Sequence, residues 1–359
     1  MAKKSLRLFG VCVIGLAVLA QPAVATTFRV VSTINVSVNP FGITTRPGGA
    51  EIWVANSGQV APLHVNPGLF NGHTVTVIDQ ATFAITAVIA VGLFPEDIAF
   101  TSDGHFAFVT NSTSDSVSVI DANTKTVLTT VDLSTIPMAF PFGAVVPPGD
   151  TELWVTSVGA QNDGSTQNVA VLDISNPAQT SVKTTISIFG GISRPALSPD
   201  GAEMLLGVDR GDRGNPVVDF VNVQTKAIDT TLGIPPGTPH SGIPVQFAVR
   251  STDGHAFSSE DDDSANVRVI DLATRTYIAA VHTVDNHQFG IGITPDQRFV
   301  VVCNFLANSV SIIDPVALQV IATIPVGSLP NAVAFSADSK FIFVTNQGDT
   351  TVTVIQITG

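Results

Sequence analysis

The chain is poor in cysteine, in charge and in helical patterning, and each shortage excludes a class of answers. Its 359 residues include two cysteines. Cys12 lies in an N-terminal apolar run that reads as a leader, which leaves Cys303 alone in the remainder and excludes an intramolecular disulfide there. Cys303 falls where a strand is expected to be buried, so it reads as a structural thiol rather than a nucleophile. Charged residues make up 13% of the chain, with 16 basic against 29 acidic and a formal net charge of −13. Without a local basic run, such a chain is a poor partner for nucleic acid. Beyond the first twenty residues almost no segment repeats its apolar positions with a helical period. Catalytic signatures are missing as well. There is no Gly-x-Ser-x-Gly elbow, no His-Glu-x-x-His, no Cys-x-x-Cys-His and no Gly-rich phosphate loop followed by Lys, which argues against serine-triad hydrolysis and covalent haem chemistry.

What the chain has is a repeat. Val75-Thr-Val-Ile-Asp79 returns at Val117, Val169, Val218, Val267, Val310 and Val352, and the last residues of successive copies lie 42, 52, 49, 49, 43 and 42 positions apart. Each period has room for four short strands, which is one blade of a β-propeller. In the clearest copy Pro95 to Phe100 is a first strand, Ser102-Asp103-Gly104 a tight turn and Phe106 to Asn111 a second strand. Val117 to Asp121 is the third strand and Lys125 to Val131 the fourth. The Asp and Asn residues that end strands are expected to hydrogen-bond turn backbone. The last copy stops after its third strand, Thr351 to Ile357, while Phe28 to Val36 is strand-like and has no blade of its own. An all-β, seven-bladed propeller follows, with the N-terminal strand completing the last blade and closing the ring.

The second-strand motif appears as Phe-Val-Thr-Asn at 108–111 and 343–346, with variants Trp53-Val-Ala-Asn56, Trp154-Val-Thr-Ser157 and Val301-Val-Cys-Asn304. It resembles the YVTN-type propeller repeats. The resemblance covers nearly all of residues 26–359 and implies a scaffold shared with lactonase-like and quinoprotein-like propellers, whose sites differ.

Lys3, Lys4 and Arg7 precede the apolar run Leu8 to Ala20, and Ala23-Val24-Ala25 fits a small-residue cleavage site. Residues 1–25 therefore read as a signal peptide and 26–359 as one domain, periplasmic or extracellular. The apolar run is shorter than the roughly 20 residues of a transmembrane helix, and Cys12 lies away from any lipoprotein cleavage point, so no anchor is expected. Loss of three leader cations takes the net charge from −13 to −16.

Function is sought where the repeats differ. Links between second and third strands hold 18 residues in the first blade (57–74), 11 in the third (158–168), nine in the fourth (209–217) and five elsewhere. The connections near 132–139 and 233–243 are also long. In a propeller all of these emerge on one face, which makes that face the expected contact surface for a protein, a glycan or a cell-envelope component. At the channel mouth, alignment of the first strands on their following turns gives one ring of Phe41, Glu96, Phe142, Ser193, Gln246, Phe289 and Asn331. The next ring is Gly42, Asp97, Gly143, Arg194, Phe247, Gly290 and Ala332. Phe41, Phe142, Phe247, Phe289 and Arg194 are the candidate ligand contacts, and an Arg194–carboxylate pair across the mouth is expected. His240, His282 and His287 fall on links of the variable face, and Asp261 and Asp263 in an acidic run. They are the candidates for Zn, Cu or Ca, although no ligand spacing is met and no cofactor is required by the sequence.

Two readings remain. In the first the chain is a non-catalytic, monomeric binding scaffold acting through its loop-rich face. In the second it is a lactonase-like or cofactor- or metal-dependent enzyme, with Arg194 binding an anionic substrate and Glu96 or Asp97 acting as base.

Overall fold

The computed structural model describes residues 26–58, 72–138, 140–158, 166–210, 216–233, 243–261, 265–284 and 287–359. They form seven antiparallel sheets, each stepping outward from a first strand at the central channel. Blade two shows the plan, with strands Pro95–Phe100, Phe106–Asn111, Ser116–Asp121 and Thr126–Asp132. The third strands of blades one, two, six and seven alternate small hydroxyl residues with Val or Ile and are buried on both faces. Each fourth strand leaves alternate residues in solvent. Among the described residues there is no α-helix, only a 3-10 turn at Pro177–Gln179.

Closure follows the expected route. Thr27–Asn35 pairs antiparallel with Thr351–Thr358 from Thr27↔Thr358 to Asn35↔Thr351, and so becomes the fourth strand of blade seven. Ile34 is buried among Ile43, Ile52, Phe343, Val352 and Val354, which joins blade seven to blade one. Phe28 meets Phe299 of blade six edge-to-face at 5.2 Å.

The repeat residues divide their work differently from the expectation. Asp79, Asp121 and Asp314 do cap the third-to-fourth-strand turn, each accepting two backbone N–H bonds through Oδ1. The motif asparagines do not. Nδ2 of Asn111, Asn304 and Asn346 donates across to two hydroxyls of the third strand, as in Asn111 to Ser116 and Ser118 at 3.2 and 3.0 Å. The reason is burial. A second-strand end inside the blade has no turn backbone within reach, and its amide needs partners. The motif threonines staple neighbouring blades: Thr110 Oγ1 donates to the Phe142 carbonyl at 2.7 Å and Thr345 Oγ1 to the Phe41 carbonyl at 2.9 Å. Cys303 occupies the same position in blade six, where burial pushes its thiol up and away from reactivity.

A second staple runs near the opposite end of the blades. Glu51 accepts from Trp53 Nε1 at 3.1 Å and from Lys125 of blade two at 2.6 Å. Glu152 does the same with Trp154 and Lys226 of blade four, at 3.1 and 2.7 Å. The side chains of Lys125 and Lys226 are about one-fifth exposed, which places these pairs above an ordinary surface salt bridge. Lys226→Met is expected to cost about 1–2 kcal/mol by denaturant unfolding, and an unchanged midpoint would remove the staple from the account.

Candidate functional site

The first strand of each blade is distorted at one place. The ladder register slips between Pro40 and Ile43, Pro95 and Asp97, Pro141 and Ala144, Pro244 and Gln246, Gln288 and Ile291, and Pro330 and Ala332. In blade four the strand breaks into Gly191–Ile192 and Ala196–Leu197. A bulge re-aims the side chain it carries, and here it sets the ring of residues around the channel. By strand pairing that ring is Phe41, Glu96, Phe142, Ser193, Val245, Phe289 and Asn331.

Blade five departs from the sequence alignment by one residue. Gln246 pairs with Ser259 as Asp97 pairs with Thr110, so Val245 takes the place expected of Gln246. The cause is the hairpin: Asp253-Gly254 sits one residue closer to its second strand, starting at His255, than Asp103-Gly104 does to Phe106. Phe247 therefore leaves the channel. It is buried among Leu205, Val218, Phe220, Ala256 and Ile270 between blades four and five and is not a ligand contact.

The glycines of the second ring mark close approaches between blades. A Cβ at Gly42 would lie 2.2 Å from the Glu96 carbonyl oxygen, and one at Gly290 would lie 2.5 Å from Asn331 O. This tightness lets the channel side chains of adjacent blades meet.

Arg194 is the centre of the site. It is 5% exposed, and its guanidinium carbon lies 5.2 Å from the Phe41 ring centroid and 5.1 Å from that of Phe142. Nη1 donates to Gln246 Oε1 at 3.4 Å and Nη2 to the Glu96 carbonyl oxygen at 3.3 Å. One side chain from blade four thus touches blades one, two, three and five. The expected Arg194–carboxylate pair does not form. The contact to Glu96 is to its backbone, and no carboxylate oxygen among the described residues is within ion-pair distance of Arg194.

The two candidate bases differ. Asp97 Oδ2 accepts the Ala144 N–H of blade three at 3.0 Å, which ties the carboxylate into the joint between blades. Glu96 is 5% exposed and bonds Ser112. Burial, with Asp97 nearby, pushes its carboxyl up to about 8 against the opposing pull of Ser112 and Arg194. A raised acid makes folding take up a proton. The neutral carboxyl's contribution is fully present below about pH 4.5 and is lost, at about 1.4 kcal/mol per pH unit, as pH rises toward 8. Glu96→Gln is expected to leave Tm nearly unchanged at pH 4.5 and to raise it relative to the parent at pH 9. Parallel Tm profiles would contradict the burial of this carboxyl.

Two of the metal candidates, His282 and His287, fall among the described residues with their side chains. His282 ends the fourth strand of blade five with its side chain in solvent, and His287 begins blade six. His240 and Asp263 lie outside the described residues, as does the side chain of Asp261. Among the described residues no three His, Cys, Asp or Glu side chains gather to hold a metal ion. Sequence reasoning missed Ser112 and Val245, because both follow from strand pairing rather than from any motif.

Residues 247–359 match the model of a family described as YNCE-like beta-propeller. The fold is a seven-bladed β-propeller. The propeller agrees with the YVTN-type resemblance of its repeats, and solved structures carry the same architecture. One is Kuenenia stuttgartiensis hydrazine synthase, 23% identical, with a TM-score of 0.72 over 89% of this chain and 95% of that one. Another is the Cps50 (Swd1) beta-propeller domain of Myceliophteria thermophila, 11% identical, with a TM-score of 0.71 over 92% of this chain and 100% of that domain. At these identities the likeness is one of fold alone. No curated protein matches the sequence. Among the described residues no helix is long and apolar enough to cross a membrane.

Proposed function

We propose that this propeller is an exported, monomeric and non-catalytic binding scaffold that engages a protein, glycan or other cell-envelope component through the face carrying its long links. The observation that carries the reading is the common root of those links. Residues 57–74, 158–168 and 209–217 all leave and rejoin their blades where second strands end beside the start of the first strands, at the channel mouth. The longest passes through a neck of two glycines, where Gly72 N donates to Ser57 O at 3.2 Å and Gly58 N to Val38 O at 3.1 Å. Residues 59–71, 159–165 and 211–215 of these links lie outside the described residues. The enzymatic reading is the weaker one, because Asp97 is spent on Ala144 and Glu96 is packed beneath Arg194.

Replacing all three links with the five-residue link of blade two, 112–116, tests the reading. Partner capture from envelope extracts is expected to fall at least tenfold while Tm stays within a few degrees. Full retention of every captured partner would contradict it.

A further inference from the structure

The surroundings of Arg194 contain more hydrogen-bonding capacity than the protein uses. The guanidinium is permanently charged and buried. Its two acceptors are neutral oxygens at 3.3 and 3.4 Å, beyond the usual N–H···O range of about 2.7–3.2 Å. Its Nε–H is buried with no partner. A buried cation without an anion is unfavourable, and two ring faces offset only part of that. Glu96 does not supply the missing charge near neutral pH, since burial holds its carboxyl largely protonated. A second residue points the same way. Asn331 is 1% exposed and occupies in blade seven the ring position that Phe41, Glu96 and Phe142 hold in theirs. Both its side-chain nitrogen and its side-chain oxygen lack a partner.

We propose that the channel around Arg194 is a receptor for a small carboxylate bearing an apolar group, with Arg194 and Asn331 receiving the carboxylate and Phe41 and Phe142 the apolar part. The planar fork of a guanidinium suits two carboxylate oxygens. A doubly charged phosphate would find one cation where it needs more. The two rings lie 6.2 Å apart, edge to face, and the Phe94 ring lies 6.4 Å from that of Phe41. Such a lining favours an aryl or short acyl body over a bare anion. The proposal does not depend on the link face binding a partner.

The test is ligand-observed NMR titration of the purified protein with phenylacetate, octanoate, phenylacetamide, acetate and inorganic phosphate. Phenylacetate or octanoate is expected to bind at least about tenfold more tightly than the neutral amide and than acetate. Arg194→Met, which keeps the packing and removes the charge, is expected to weaken that binding at least tenfold, and Asn331→Ala to weaken it severalfold. Equal binding of acid and amide, tighter binding of phosphate, or no saturation transfer at millimolar phenylacetate and octanoate would overturn the proposal. Should Arg194→Met fail to fold, the acid-against-amide comparison on the unaltered protein still decides.

Discussion

Deleting residues 26–35 is expected to lower Tm by at least about 10 °C and to produce new soluble oligomers or aggregate. The strand lost is the outer edge of blade seven, and with it go the register partners of Thr351–Thr358. Ile34 leaves a buried cluster shared by blades seven and one, and Phe28 leaves Phe299. Removing one buried Ile side chain costs about 2–5 kcal/mol. With the ladder bonds added at roughly 0.5–1.5 kcal/mol each, the loss reaches about 7 kcal/mol or more, and each kcal/mol is worth about 1.4 °C in a domain of this size. The bared Thr351–Thr358 edge is also a template for another chain. Adding a peptide of residues 26–36 is expected to restore part of the lost Tm. A Tm within 2 °C of the parent in circular-dichroism melts would show that the N-terminal strand does not lock the ring.

The second large effect lies in blade five, which replaces the neutral asparagine–hydroxyl pair of blades two and six with charges. Glu260 stands where Asn111 and Asn304 stand, and Arg268 where Ser118 and Ser311 stand. Arg268 Nε lies 2.8 Å from Glu260 Oε2, with side chains 5% and 0% exposed. The Tyr277 ring lies 6.0 Å from the guanidinium, and burial pushes its hydroxyl's ionisation up. Breaking a buried pair from one side leaves a charge without water or counterion, so Arg268→Met is expected to cost about 3–5 kcal/mol in denaturant unfolding. Glu260→Asn with Arg268→Ser rebuilds the arrangement of blade six, where Asn304 Nδ2 donates to Ser311 Oγ at 3.0 Å. The double variant is expected to recover most of the loss. A double variant less stable than Arg268→Met would show that the charges are wanted for themselves.

The repeat makes the architecture legible in the sequence. Strand bounds in blade two and the closure by Phe28 to Val36 both follow from residue patterning, because bulk and turn chemistry are local properties. The site was legible in part. Arg194, Glu96 and Asp97 stand out as the charges of the two rings, yet the contact of Arg194 with Glu96 through a carbonyl rather than a carboxylate depends on a bulge that no motif announces. Phe247 was misplaced for a similar reason. Turn residues date a strand only to within one position, and a one-residue slip in a period of two moves a ring from the channel to the core. The motif asparagine was misread because its partners lie five and seven residues ahead on the next strand, a distance set by the link length rather than by the turn.

The most direct measurement sets two proteins beside the parent in the same envelope-extract capture: one with the three links shortened, the other carrying Arg194→Met and Glu96→Gln. The account predicts that the shortened protein loses its partner and the channel variant keeps it. Capture retained by the shortened protein and lost by the channel variant would move the function from the face into the channel and contradict the account.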